Sequence, residues 1–161
     1  MNHRKPVADL RDLVSELRPG QRLMGLDLGS KTIGAALSDL GRTIATPTAT
    51  IRRGKFKADA AALLSMIEEH DVGGLVIGLP LNMDGSEGPR CQSVRQFAAN
   101  LLAEFDIAIA FWDERLSTVS AERILLVADM SRKRRGEVID KMAAAIILQG
   151  ALDRLSYTLE R

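Results

Sequence analysis

The chain has 161 residues, 46% of them apolar, which suits one domain with one sizeable core. Its 22 basic and 21 acidic side chains leave a formal net charge of +1, so any nucleic-acid contact must be a local patch rather than a global cationic field. A single cysteine excludes an intrachain disulfide, two distant histidines exclude a zinc-finger spacing, and no apolar run approaches the ~20 residues of a membrane span.

The N-terminus carries Arg4, Lys5, Asp9, Arg11 and Asp12 where a signal peptide needs an apolar stretch, so a reducing cytoplasm is the expected location. From Pro6 to Leu17, Val7, Leu10, Leu13, Val14 and Leu17 recur at three- and four-residue steps and predict an amphipathic helix, stopped by Pro19-Gly20. Residues 1–20 are expected to be a helical extension on a single domain of residues 21–161.

Three β-prone runs follow: Gln21 to Leu28, Ile33 to Leu37, and the Thr-rich Thr43 to Ile51. Short turns at Gly29-Ser30-Lys31 and Asp39-Leu40-Gly41 make them an antiparallel meander. Lys57 to His70 predicts a helix, which Gly73-Gly74 is expected to break. Leu75 to Leu79 is wholly apolar, as in a strand buried on both faces. A polar loop from Pro80 to Gly88 leads to Pro89, which suits the first turn of a helix reaching about Glu104. Ile107 to Trp112 predicts a strand, Ser117 to Val127 a helix, Ser131 to Gly136 a basic loop, and Glu137 to Leu155 the last helix. Strand-helix-strand steps in the second half imply parallel pairing. The expected fold is α/β: a mixed five-stranded sheet, three antiparallel strands and then parallel ones, flanked by helices.

Three carboxylates stand out. Asp27 lies within Leu26-Asp27-Leu28, where an acid in a core strand is costly unless paired or metal-bound. It could instead cap the next turn, but Gly25 and Gly29 favour a ligand close to the backbone. Glu114 follows the last predicted strand, at the strand end where open α/β sheets place ligands; the alternative is a surface pair with Arg115. Asp140 precedes the small residues Ala143 and Ala144, which suit close helix packing, or it sits in a first turn where the helix dipole favours an acid. Asp113 and Glu137 are the neighbouring competitors. If the three acids converge, an all-oxygen site favours magnesium or manganese over zinc, and two such ions could assist phosphodiester hydrolysis without a protein nucleophile.

Gly25-Leu26-Asp27-Leu28-Gly29-Ser30-Lys31, Gly78-Leu79-Pro80-Leu81-Asn82-Met83-Asp84-Gly85-Ser86, Asp113-Glu114-Arg115-Leu116-Ser117-Thr118 and Ile139-Asp140-Lys141-Met142-Ala143-Ala144 together resemble the four blocks of the YqgF/RuvX family. Its members are bacterial proteins described as candidate Holliday junction resolvases and candidate pre-16S rRNA nucleases. The resemblance runs from Arg22 to Leu155. It implies a ribonuclease H-like fold, and it maps the metal-binding, catalytic carboxylates onto Asp27, Glu114 and Asp140. Thr32 departs from the family, which often carries Arg there, so a basic contact near the site is expected to be missing.

Around these acids, Lys31 and Arg115 could contact the scissile phosphate or balance buried carboxylates. The loop from Asn82 to Arg90 could line a substrate groove, and Asp84 and Glu87 also stand at capping-box spacing for helix entry. Two basic runs, Arg52-Arg53-Gly54-Lys55-Phe56-Lys57 and Arg132-Lys133-Arg134-Arg135, could bind phosphates, the second overhanging Asp140. Phe56 and Trp112 are the only nearby candidates for base stacking.

Rival readings fit less well. A Rossmann site and a P-loop need glycine spacings that Gly25, Gly29, Gly34 and Lys31-Thr32 do not provide. Actin-like ATPases need a much longer chain. A catalytically silent RNA- or ribosome-binding protein has no use for three costly acids. The sequence therefore leads to the expectation of a Mg2+- or Mn2+-dependent nuclease, with precursor ribosomal RNA first and branched four-way DNA second as substrate. It would be a monomer or weak homodimer with no membrane partner.

Overall fold

The computed structural model describes residues 4–117 and 132–159. Five strands form one sheet: β1 (Arg22–Leu28), β2 (Thr32–Ser38), β3 (Ala45–Arg52), β4 (Val72–Leu79) and β5 (Ala108–Asp113). Their spatial order is β3-β2-β1-β4-β5; β1–β2 and β2–β3 pair antiparallel, β1–β4 and β4–β5 parallel. The mixed sheet expected from the chain order is thus the one observed. The helices are α1 (Leu10–Ser15), α2 (Phe56–Glu69), α3 (Pro89–Glu104) and α4 (Arg132–Leu159). A single 3-10 turn, Glu114–Leu116, follows β5.

Side-chain alternation divides the core into two layers. Met24, Leu26 and Leu28 of β1 face one way and join Leu63 of α2 and Val94, Phe97 and Leu101 of α3. Leu23 faces the other way, into a layer with Leu13 of α1 and Ala144, Leu148 and Leu152 of α4. By the same alternation Gly25 and Asp27 belong to the α4 side.

Glycines let α4 lie directly on that face. A Cβ on Gly25 would stand 2.7 Å from Leu148 Cβ and 2.8 Å from the Ala144 carbonyl oxygen, and one on Gly34 would overlap the Asp140 carbonyl oxygen. Gly150 performs the reverse service, giving room to the Trp112 ring of β5. The helix therefore lies at backbone contact on β2 and β1, carrying Asp140 to the C-terminal end of β1.

Several boundaries differ from those expected. The first helix is only Leu10–Ser15, N-capped by Asp9, because the backbone before it is drawn to the sheet, where Val7 N–H donates to the Ile109 carbonyl of β5 (2.8 Å). Gly73 and Gly74 do not break a helix but belong to β4; a Cβ on Gly74 would stand 2.9 Å from Leu13 Cδ1, so these glycines admit α1 to the sheet. The turn comes earlier, at Asp71, which takes a positive φ of 50°. The expected basic loop from Ser131 to Gly136 is helical from Arg132, since lysine and arginine favour helix and one exposed glycine costs only about 1 kcal/mol. Asp140 is accordingly more than two turns into α4, not in its first turn. The helix expected from Ser117 to Val127 lies, beyond Ser117, outside the described residues.

Candidate active site

Asp27 is the penultimate residue of β1, and the register pairing Leu26 with Ile77 places Gly78 of the parallel neighbour beside it. β5 ends at Asp113, and the next residue, Glu114, turns back over the sheet end. Its carboxylate occupies the space that Gly78 leaves: a Cβ there would stand 2.5 Å from Glu114 Oε1. Asp27 and Glu114 consequently share a hydrogen bond, and Asp140 descends from α4 close enough to repel Asp27. The backbone thus brings together the three acids singled out in the sequence.

The electrostatics are those of unneutralised carboxylates. Burial raises the Asp27 pKa above the usual range; Asp140 raises it further, while Arg90 and the bond with Glu114 pull it down. Glu114 is likewise raised, first by burial and then by Asp27, against the opposing pull of Arg90. Arg90 is the cation common to both.

Asp140 has a further partner. Thr32 Oγ1 donates to Asp140 Oδ2 at 2.7 Å. The residue that departs from the family pattern thus supplies a hydroxyl that fixes the third acid.

Whether the set fits a divalent cation can be judged from its donors. All are carboxylate oxygens, the donors that Mg2+ and Mn2+ take, and their mutual repulsion is what a bound cation relieves. Among the described residues, however, no three acidic, histidine or cysteine side chains meet closely enough to enclose one ion as they stand. Asp27 and Glu114 contact each other, while Asp140 is turned to Thr32. The donor chemistry fits the ion; enclosing it requires side-chain rotation on a backbone that is already in place.

The remaining candidates divide. Arg90, Asn82 and Arg115 line a groove of about 520 Å³ that opens beside Glu114. Arg115 is held by Asp113 (2.7 Å from Nη2 to Oδ2) and donates to the Met83 carbonyl, so it neutralises Asp113 and not the buried acids. Asp113 also caps the 3-10 turn, and Arg115 keeps its pKa low; it is committed to that pair. Asn82 Nδ2 donates to Ser86 Oγ, which fixes the loop. Lys31 is exposed in the β1–β2 turn. The side chains of Arg132, Lys133, Arg134, Arg135 and Glu137 lie outside the described residues.

Three expectations are corrected. Gly25 makes room for α4 and not for a ligand, whereas Gly29 lines an open cleft beside α3. Asp84 and Glu87 form no capping box: α3 is capped by Gly88, Asp84 accepts from Ser86, and Glu87 pairs with Arg95. Trp112 is core, its Nε1 donating to Ser117 Oγ (2.8 Å), and Phe56 packs edge-on against Phe97, so neither offers an open stacking face. Gly78 was missed, although a glycine inside a wholly apolar strand is itself a sign of close approach.

Gly78→Ala tests this geometry. The methyl group meets only the ends of Glu114 and Ile147, so destabilisation should stay within about 1–3 kcal/mol. Cleavage should fall disproportionately, because Glu114 is the group displaced. Melting curves and single-turnover rates on the same samples check this; a lost rate with Glu114 still against Asp27 would refute it.

A family model described as "RuvX: Holliday junction resolvase" matches residues 21–154. A protein of Paramagnetospirillum magneticum named "Putative pre-16S rRNA nuclease" is 64% identical over 151 residues, covering 94% of this chain and 97% of that one. One of the same name from Ruegeria pomeroyi is 62% identical over 146 residues, covering 91% and 95%. Among solved structures, T. thermophilus RuvC in complex with a Holliday junction substrate superposes with a TM-score of 0.50 at 11% identity, covering 86% of this chain and 97% of that one. The yeast mitochondrial Holliday junction resolvase also reaches 0.50, at 14% identity, covering 94% and 85%. These likenesses carry the fold, which is ribonuclease H-like.

Proposed function

The chain belongs to the RuvX family, and we propose that it is a divalent-metal-dependent endonuclease that hydrolyses phosphodiester bonds in precursor ribosomal RNA, processing the 5′ end of pre-16S rRNA in the cytoplasm. One observation carries this reading: Asp27 at the end of β1 is the neighbour of both Glu114, just after β5, and Asp140, in the third turn of α4, and Glu114 borders a groove that Arg90 and Arg115 also line.

In this reading Asp27, Glu114 and Asp140 hold Mg2+ or Mn2+. The bound ions would activate water and neutralise charge developing on the departing oxygen. The chain's own groups position the strand. Arg90, next to the half-buried Asp27 and Glu114, is placed to meet the phosphate that approaches them. Arg115 and Asn82 border the path of the strand, and Lys31 stands in the turn after Asp27. Thr32 keeps Asp140 oriented. Arg132, Lys133, Arg134 and Arg135 form the first turn of α4 and are assigned to phosphates away from the cut. Such contacts fix register without reading sequence.

A second reading, cleavage of four-way DNA junctions, is favoured by the family's description and by the fold shared with a junction-bound resolvase. One experiment separates the two. Precursor 16S rRNA and a synthetic four-way junction are incubated with the protein, with Mn2+ and with EDTA. The account expects metal-dependent cleavage of the RNA at defined positions. Cleavage of the junction alone would reverse the choice of substrate, and cleavage of neither would overturn the nuclease reading.

A further inference from the structure

A second cleft of about 110 Å³ opens between the β1–β2 turn and α3, lined by Gly29, Ser30, Arg53, Arg90, Ser93 and Phe97 among others. Gly29 is two residues beyond Asp27. Arg90 lines this cleft and the larger groove beside Glu114 alike, so the two adjoin at that residue. Among the described residues, no acidic side chain lines the smaller cleft. It is a cationic recess immediately next to an acidic centre.

Arg53 is the part of this recess that the function above leaves unused. It belongs to the first of the two basic runs that the sequence offered for phosphates, and its side chain is half-buried. Its Nη1 donates to the Gly29 carbonyl at 2.6 Å, and the guanidinium carbon lies 5.2 Å from the centre of the Phe97 ring. Phe97 is in turn held edge-on by Phe56, with ring centroids 5.5 Å apart. An arginine fixed in this way has little rotamer freedom left to lose on binding, and its planar fork suits phosphate oxygens. If its role were only to tie down the turn, the bond to Gly29 would suffice and a shared cleft with Arg90 would have no use.

We propose that this cleft is a phosphate subsite, in which Arg53 and Arg90 hold the internal phosphodiester adjoining the one to be cut. The assignment rests on the nuclease reading, since it places a neighbouring linkage relative to Asp27 and Glu114. The substrate strand then runs from the Glu114 groove past the acids to the turn at Gly29, with Arg90 spanning the two positions.

The test is binding of a short single-stranded oligonucleotide to the full chain in EDTA, read by fluorescence anisotropy over a series of salt concentrations. Arg53→Met should weaken binding about tenfold, and the slope of log K against log salt should fall by about 0.7, the value of one phosphate contact on a single strand. Arg53→Lys, which keeps the charge, should retain the wild-type slope. In wild type, one neutral methylphosphonate linkage at an internal position should reproduce the loss, and Arg53→Met should lose nothing further at that linkage. An unchanged affinity and slope in Arg53→Met would overturn the subsite, as would sensitivity only to removal of a terminal phosphate. Wild-type cleavage would persist in that case, so the failure would be distinct from failure of the nuclease reading.

Discussion

Asp27→Asn should reduce metal-dependent cleavage by roughly 10³-fold or more, as expected for losing several kcal/mol of transition-state stabilisation at ~1.4 kcal/mol per factor of ten. The same substitution should raise the melting temperature of metal-free protein at pH 7. The sign follows from the pKa of Asp27, which burial and Asp140 raise in the folded state. A carboxyl with a raised folded pKa is destabilising wherever it must ionise, and the penalty fades as pH falls toward its unfolded value. The gain from Asp27→Asn should therefore be largest at neutral pH and shrink as pH falls through the carboxylate range. Melts between pH 4 and 7 beside cleavage rates check both halves. A variant inactive but destabilised at pH 7 would mean that Asp27 is a structural acid. Activity traded against stability at one side chain is what a binding site for a cation predicts.

Gly34→Ala should be among the most damaging single methyl additions in the protein. Its Cβ would overlap the backbone carbonyl of Asp140, which cannot swing aside as a side chain can. α4 must lift from β2, at a cost of about 3 kcal/mol or more. For a chain of this size that lowers Tm by roughly 6–12 °C. Cleavage should fall with it, because Asp140 rides on the displaced turn and its bond to Thr32 is lost. Gly136→Ala is the matched control: nothing lies within 4 Å of the added methyl, and alanine in an exposed helix should stabilise by about 1 kcal/mol. Equal effects of the two substitutions would show that α4 does not depend on backbone contact with the sheet.

The parts of this architecture legible in the sequence are those written in local pattern. The meander is read from three β-prone runs with short turns, β4 from an unbroken apolar stretch, and α3 from Pro89 at its first position. The three acids could be nominated singly, and the four-block resemblance joined them. What stayed hidden depends on contacts between elements distant in the chain. Gly73 and Gly74 read as helix breakers because only the packed α1 explains them as strand residues. Gly25 read as room for a ligand because α4, over a hundred residues on, is what fills the space. Thr32 read as a missing basic contact because its partner, Asp140, is 108 residues away. Arg53 read only as one of several basic residues that could bind phosphates, since neither Gly29 nor Phe97, which fix it, is its neighbour in sequence. The basic stretch before Gly136 was misjudged for a simpler reason: one glycine does not end a helix that the rest of the turn favours.

The most direct measurement of the central claim is a Mn2+ titration of the purified full chain, following free Mn2+ by electron paramagnetic resonance at neutral pH. Wild type should bind Mn2+ saturably, and Asp27→Asn should bind at least tenfold more weakly while remaining folded. Wild-type affinity should fall as pH is lowered, because the pKa values of Asp27 and Glu114 are raised and protons then compete with the cation for their oxygens. Identical Mn2+ binding by wild type and Asp27→Asn would contradict the account.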